Sequence, residues 1–276
     1  GIRYNPQLWN FIKKMDYWRF NMVWNIKTVD DAVYYVKYTL EHNKDILNQY
    51  NYFNYEAFIN IFDEMGLNNT DFRVESGASK GVLIPQNEKL NFVIKIPFQE
   101  NFSIDEMWSW GDYNSYSQIC EPNEPFAHAK VFVDNKWEGS DNYDDYCYCE
   151  ALITDEARKA GVANFIAQTE IYDEAFVDFQ TIPIYVSERA EESFYWSKSS
   201  KKTKRMTKDE RETIAKTVYS HNSGIPIQWC FEAVEYYGIN MVNSFLNFVD
   251  EHRLNDFHSG NLGYIICNRD IRIKQL

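Results

Sequence analysis

The sequence has no long apolar segment, and this excludes an integral membrane protein built on apolar helices. No run approaches the roughly 18 apolar residues that a membrane-spanning helix needs, and the chain does not open with a signal-peptide pattern. We therefore expect a cytoplasmic protein with no membrane partner. Asparagine is abundant and alanine scarce, which is typical of AT-rich genomes such as those of phages and low-GC bacteria.

Cysteine is also scarce. The chain has 5 cysteines, an odd number, with no repeated spacing. Cys147 and Cys149 are separated by one residue, which suits neither a C-x-x-C redox pair nor a zinc knuckle. The sequence therefore predicts free or buried thiols in a reducing compartment rather than a disulfide framework.

Basic residues are outnumbered, at 28 against 41 acidic ones, giving a formal net charge of −13. This argues against general nucleic-acid binding. Residues 198–216 are the exception, because lysine and arginine exceed acids there. The run fits either a solvated helix or loop, or a patch that binds an anionic partner.

Two motifs of nucleotide binding are missing. The chain has no Walker A loop and no Rossmann glycine fingerprint. Its histidines outside residues 256–261 are scattered and do not suggest a metal site. Aromatic residues, by contrast, make up 17% of the chain, enough to fill a sizeable core and to exclude wholesale disorder.

Residues 1–70 read as a helical extension, which could be a packing module without chemistry. Thr28 followed by Asp31 is typical of a helix start, and apolar residues follow at helical spacing: Val33, Val36, Leu40 and Leu47. A further helix is predicted over residues 52–65, ended by Gly66.

The pattern changes near residue 71. Three strands are predicted, followed by an irregular insertion at 99–145. After it we expect a helix over residues 146–160 closed by Gly161, and strands at 170–172 and 182–186. The predicted C-terminal elements are one long helix from Pro226 to about Asp250, and strands at 264–267 and 271–273.

The most specific motif is Asp256-Phe257-His258-Ser259-Gly260-Asn261, between the long helix and the hairpin. It resembles the D-x-H-x-x-N catalytic loop of aminoglycoside-phosphotransferase-like and related enzymes with the protein-kinase fold. The resemblance implies that Asp256 is catalytic, orienting or deprotonating the acceptor hydroxyl. It also implies that Asn261 binds Mg²⁺ on the phosphates.

The same resemblance implies roles for two charged residues. Lys95, in the strand Val93-Ile94-Lys95, is similar to the kinase lysine that holds the α- and β-phosphates of ATP. Glu150, on the next helix, would pair with it. The alternatives are a lysine on an edge strand or reaching for solvent, and a surface glutamate whose role belongs to another acid.

Two further segments are matched by position only. Gly77, Ser79 and Gly81 lie where the kinase glycine loop would approach phosphate, although the loop departs from G-x-G-x-x-G and could be a plain hairpin turn. Tyr185 and Val186 lie where backbone groups of the hinge would bind adenine.

The order of these elements implies an α+β, bilobal protein-kinase-like fold. Residues 71–190 would form the N-lobe, and 191–276 a helical, minimal or truncated C-lobe with the catalytic loop. The second Mg²⁺-binding aspartate, of the D-F-G type, is expected just after the hairpin, where the sequence given ends.

The function implied is that of an ATP- and Mg²⁺-dependent phosphotransferase acting on a hydroxyl of a protein or small molecule. The alternative is a catalytically impaired pseudokinase that binds nucleotide or serves as a scaffold, including one that binds a host protein.

Overall fold

The fold mixes helices and antiparallel strands. The computed structural model describes residues 26–50, 53–64, 71–77, 79–99, 130–139, 146–178, 180–192, 206–220, 225–254, 262–267 and 270–275. The strands are β1 (Phe72–Ser76), β2 (Lys80–Pro85), β3 (Phe92–Pro97), β4 (Lys130–Val133), β5 (Lys136–Gly139), β6 (Thr169–Val177), β7 (Gln180–Glu188), β8 (Glu191–Glu192), β9 (Leu262–Cys267) and β10 (Asp270–Gln275). The α-helices are α1 (Val29–His42), α2 (Lys44–Leu47), α3 (Tyr55–Ile59), α4 (Tyr146–Lys159), α5 (Lys208–Ser220), α6 (Ile227–Tyr237) and α7 (Ile239–Glu251). The predicted α+β class is confirmed.

Five strands form one antiparallel sheet in the order β1-β2-β3-β7-β6. The three-strand meander predicted after residue 71 supplies β1, β2 and β3, and the two later strands complete the sheet. All six residues of β3 are buried, because β3 is internal and both of its faces are covered. An apolar run suits such a strand, and Lys95 is its only charged residue.

Helices α1 and α3 cover one face of this sheet. As predicted, α1 begins at a capping box: the Thr28 hydroxyl accepts from the Asp31 amide, and the Asp31 carboxylate accepts from the Thr28 amide. One hydrophobic cluster joins both layers, and it includes Ala32, Val36, Leu40, Phe58, Ile94, Ile96, Ile182 and Ile184. The described part of the predicted N-terminal extension therefore shares its core with the sheet.

Helix α4 lies on the other face and contacts β3 and β6. It ends close to the predicted position, and Gly161 follows with φ of 74°, a conformation that favours glycine. Its side chains Cys149, Ile153 and Ala157 enter a second hydrophobic cluster with residues of α5, α6 and α7. One helix therefore connects the sheet to the helical part of the chain.

Two predictions are corrected by the structure. The long helix expected up to Asp250 is two helices, because Gly238 has φ of 85° and ψ of 157° and stops α6 before α7 begins. The insertion at 99–145 is not wholly irregular, since β4 and β5 form a hairpin. Asp134 and Asn135 both have positive φ at its turn, as a two-residue hairpin turn of type I′ requires.

A small second sheet lies after β7. β8 pairs with β9, and β9 pairs with β10 as the predicted hairpin. The part of the basic run that falls in α5 is helical, and Lys208, Arg211 and Lys216 are exposed there, which fits both a solvated helix and a patch that binds an anionic partner. None of the described helices is both long and apolar enough to cross a membrane.

The thiols with described side chains, Cys147, Cys149 and Cys230, are buried and form no disulfide. Burial raises the pKa of Cys230 to about 12, so this thiol stays protonated at neutral pH. These three residues fit the expectation of buried thiols outside a disulfide framework.

Candidate functional site

Lys95 points to the face of the sheet that α4 covers. Successive residues of a strand point to opposite faces, and Ile94 and Ile96 already lie in the cluster on the other side. Only 8% of the Lys95 side chain is exposed. A buried ammonium is costly without a partner, so a negative group is needed on α4.

That group is Glu150. The Lys95 Nζ donates to the Glu150 Oε2 over 2.8 Å, and the glutamate side chain is itself only 17% exposed. The two residues paired from the sequence are thus in direct contact. The alternatives do not describe this structure, because β3 is not an edge strand and Glu150 is not on the surface.

A row of buried hydroxyl groups holds Glu150 in position. One turn after it on α4, the Thr154 Oγ1 donates to the Glu150 carbonyl oxygen over 2.9 Å and accepts from the Thr169 amide on β6 over 3.0 Å. The Oγ atoms of Thr169 and Ser187 are 2.8 Å apart, which extends the row to β7. These bonds fix the position of α4 along its axis relative to the sheet, and they therefore fix the position of Glu150.

Lys80 is a third member of the cluster, and the sequence analysis missed it. Val82 lies opposite Lys95 and Lys80 lies opposite Pro97, so both lysines project from the same face. The Lys80 Nζ contacts the Glu150 Oε1, the oxygen that Lys95 leaves free. The period of two along β2 was visible in the sequence, but the register with β3 was not.

The cluster affects the protonation of Lys95. Burial first, and then the neighbouring Lys80 ammonium, hold the pKa of Lys95 well below its ordinary value. The Glu150 carboxylate opposes this and favours the charged form. A cationic Lys95 therefore depends on Glu150, so the two residues form one functional unit.

The described residues of the glycine loop have much of their backbone already bonded. The Gly77 amide donates to the Lys80 carbonyl over 2.9 Å, and Gly81 pairs with Ser76 on one side and Ile96 on the other. A Cβ on Gly81 would collide with the Phe58 ring. Glycine is thus required at 81 for packing against α3, and the backbone of Gly77 and Gly81 is not the phosphate cradle predicted.

Ser79, the remaining residue matched to that loop, is buried, and its carbonyl accepts from the Phe98 amide over 2.8 Å. This carbonyl ties the turn to the end of β3. The Lys80 ammonium, which follows directly, is suited to an anion.

The adenine-binding position predicted at Tyr185 and Val186 is also corrected. Both residues lie inside β7, paired with Lys95 and Ile94 of β3 on one side and with β6 on the other. Their backbone is therefore committed to the sheet. The chain leaves β7 only after Glu188, so a hinge would begin at residue 189.

Asp256 and Asn261 lie outside the described residues, and their roles stay predictions. The structure does describe both flanks of residues 255–261. On one side, the Leu254 amide closes the end of α7 by donating to the Val249 carbonyl over 2.9 Å. On the other side β9 begins at once, and its partner β8 directly follows the end of β7. The motif is therefore bracketed by a helix and a hairpin, as predicted.

The far end of α4 contacts the residues before this motif. The Glu156 Oε2 lies 3.7 Å from the His252 Nε2, and the Phe132 amide of β4 donates to the His252 carbonyl over 3.2 Å. The Arg253 guanidinium lies 4.1 Å from the Phe132 ring centroid. Six residues turn a helix by roughly 240° beyond one full turn, so Glu150 and Glu156 face different partners. Helix α4 therefore links the lysine cluster to the residues that precede 255–261.

Comparisons with protein-family models, curated proteins and solved structures give no match to this chain. The site must therefore be interpreted from its own chemistry.

Two ammonium groups converge on one carboxylate, largely shielded from water, beside a turn between two strands. This arrangement is suited to an anion with several oxygens, such as a phosphate chain. Among the described residues there is no group of three or more His, Cys, Asp or Glu side chains that could hold a metal ion.

Proposed function

We propose that this protein is a kinase-like phosphotransferase that uses ATP and Mg²⁺ and transfers the γ-phosphate to a hydroxyl of a protein or small molecule. The observation that carries the proposal is the buried Lys95–Glu150 ion pair. In protein kinases, a lysine on the third strand pairs with a glutamate on the following helix, and the pair is needed to position the nucleotide. Here the same residue types occupy the corresponding elements.

The order of the elements supports the proposal. A strand, turn and strand precede the lysine strand, a helix with the glutamate follows, and two more strands complete an antiparallel sheet. The D-x-H-x-G-N segment then lies between α7 and the β9–β10 hairpin. Because β8 pairs with β9, the hairpin lies beside the segment that leaves the sheet.

Within the proposal, Lys95 holds the α- and β-phosphates and Glu150 positions Lys95. Asp256 orients the acceptor hydroxyl, and Asn261 contributes to holding Mg²⁺ together with phosphate oxygens. Most of the catalysis would come from positioning and from neutralising charge on the phosphates. The bilobal kinase-like architecture belongs to the same proposal.

A second candidate is a pseudokinase that binds nucleotide or a protein partner without transferring phosphate. The bonded state of the glycine turn favours it, because the Gly77 amide is used within the turn and is not available to phosphates.

The experiment compares the full chain with Asp256→Ala and Glu150→Gln. ATP binding is measured by calorimetry with Mg²⁺, and turnover by release of ADP and incorporation of labelled phosphate. We expect Glu150→Gln to weaken ATP binding, and Asp256→Ala to bind ATP but lose turnover. The control is Asp155→Asn, an exposed carboxylate on the same helix, which should match the unmodified protein.

Binding without turnover in the unmodified protein would favour the pseudokinase. Absence of ATP binding would refute the phosphotransferase and the nucleotide-binding pseudokinase, and would leave a pseudokinase that binds only a protein partner. Equal turnover in the unmodified protein and in Asp256→Ala would remove Asp256 from the mechanism.

A further inference from the structure

Lys80 differs from Lys95 in where it lies along the shared face. Lys95 is inside β3 with strands on both sides, whereas Lys80 is the first residue of β2 and closes the turn that contains Gly77. Ser76 and Gly77 are exposed, so this end of the cluster borders solvent. A ligand that enters beside the turn would meet Lys80 first.

The two lysines also share the same carboxylate. Each takes one oxygen of Glu150, and the side chains are only 15% and 8% exposed. Two ammonium groups held close together repel each other, and the repulsion strengthens where water is excluded. A polyanion would relieve it by accepting from one lysine while Glu150 keeps the other.

The bonded backbone of Gly77 and Gly81 favours such a role for Lys80. A kinase glycine loop covers the phosphates, but the Gly77 amide and the backbone of Gly81 are already bonded within the hairpin. A flexible lysine stem from the same turn can deliver a charged donor to the same region. Lysine is a common phosphate ligand of this kind, acting as a point charge.

We propose that Lys80 is a second phosphate-binding cation. When a ligand binds, Lys80 would release Glu150 and contact the phosphates beyond the α-phosphate. The site would therefore select polyphosphates over monophosphates. This assignment rests on the proposed nucleotide-binding function but adds a residue and a selectivity to it. Lys95 stays with Glu150, while Lys80 moves to the ligand.

The test uses Lys80→Gln in the full chain, with ATP, AMP and inorganic tripolyphosphate as ligands in calorimetry. A charged hydrogen bond lost from the complex should weaken ATP and tripolyphosphate binding about tenfold or more and change AMP binding less than twofold. Lys89→Gln, which removes an exposed lysine from the next turn, should change none of the three affinities.

A second measurement needs no variant. Acetylation of Lys80 in the unmodified protein, followed by mass spectrometry, should slow when tripolyphosphate is present and stay unchanged with AMP. Labelling of Lys89 should be the same in both. This readout decides the matter if Lys80→Gln does not fold.

The outcomes separate this inference from the proposed function. Binding of tripolyphosphate but not ATP, with loss in Lys80→Gln, would support Lys80 and refute the nucleotide site. Equal affinities of the unmodified protein and Lys80→Gln, or equal losses of affinity for ATP and AMP, would refute the role of Lys80. Either result would leave the proposed nucleotide-binding function standing. Failure of the unmodified protein to bind either polyphosphate would overturn both.

Discussion

Glu150→Gln is the substitution that tests the lysine cluster most directly. Glutamine has nearly the same shape as glutamate, so packing is preserved while both ammonium groups lose their carboxylate. Removing one partner of a buried ion pair typically costs about 3–5 kcal/mol. Because Lys95 can release its proton and Lys80 lies near solvent, we expect the lower end, about 3 kcal/mol at neutral pH. For a chain of this size that is a fall in Tm of about 6–12 °C.

The loss should depend on pH in a defined direction. The pKa of folded Lys95 is lowered from a reference value of 10.5, so in the window between the two values the folded chain binds fewer protons than the unfolded chain. Stability therefore rises with pH across that window and falls as pH drops toward the folded pKa. The free energy of unfolding should rise more steeply with pH in Glu150→Gln, because this variant lacks the carboxylate that favours the charged form of Lys95.

The measurement is urea unfolding followed by tryptophan fluorescence at pH 7, 8 and 9, without ligand. The difference in unfolding free energy between the unmodified protein and Glu150→Gln should decrease as pH rises. Asp155→Asn on the same helix breaks only an exposed pair with Arg158 and should stay within about 0.5 kcal/mol. A Glu150→Gln variant as stable as the unmodified protein, or a difference that widens with pH, would refute the reasoning.

Four other substitutions have defined outcomes. Lys95→Met should cost less stability than Glu150→Gln, because Lys80 still neutralises Glu150, yet it should abolish ATP binding in calorimetry; retained binding would contradict the proposed role. Gly81→Ala should destabilise by about 1–3 kcal/mol in denaturant titrations, since its methyl group meets the Phe58 ring, whereas Gly77→Ala has nothing within 4 Å of its Cβ and should be near neutral. Gly238→Ala should lower stability by about 1–3 kcal/mol, because φ of 85° with ψ of 157° is strained for any residue with a side chain; an unchanged unfolding midpoint would show that the break between α6 and α7 is not needed.

Features that depend on a few neighbouring residues were predictable. The capping box at Thr28 and Asp31 needs only a hydroxyl and an acid three residues apart, and the apolar face of α1 follows from the 3.6-residue period. Lys95 stands out because a charged residue interrupts an apolar strand. Its pairing with Glu150 came from the resemblance to kinases and was not deduced from spacing.

Local signals also misled where two of them conflicted. Apolar residues continue at helical spacing across Gly238, so the hydrophobic pattern predicted one helix, but the backbone of that glycine turns away from helical geometry. At Asp134 and Asn135 the sequence analysis missed a hairpin. These residues tolerate the positive φ of a tight hairpin turn, but the flanking strands are too short to show a clear alternating pattern.

The sequence alone determined the α+β class, the strand that carries Lys95 and the helix that carries Glu150, because periodicity and caps are properties of short segments. Only the tertiary structure decided that Lys80 joins them and that Tyr185 lies inside the sheet. It also decided that Gly81 is required by Phe58. These facts depend on the register between strands and on the position along its axis at which Thr154 holds α4. A shift of one residue would reverse the faces of a strand, and nothing in the local pattern selects between the alternatives.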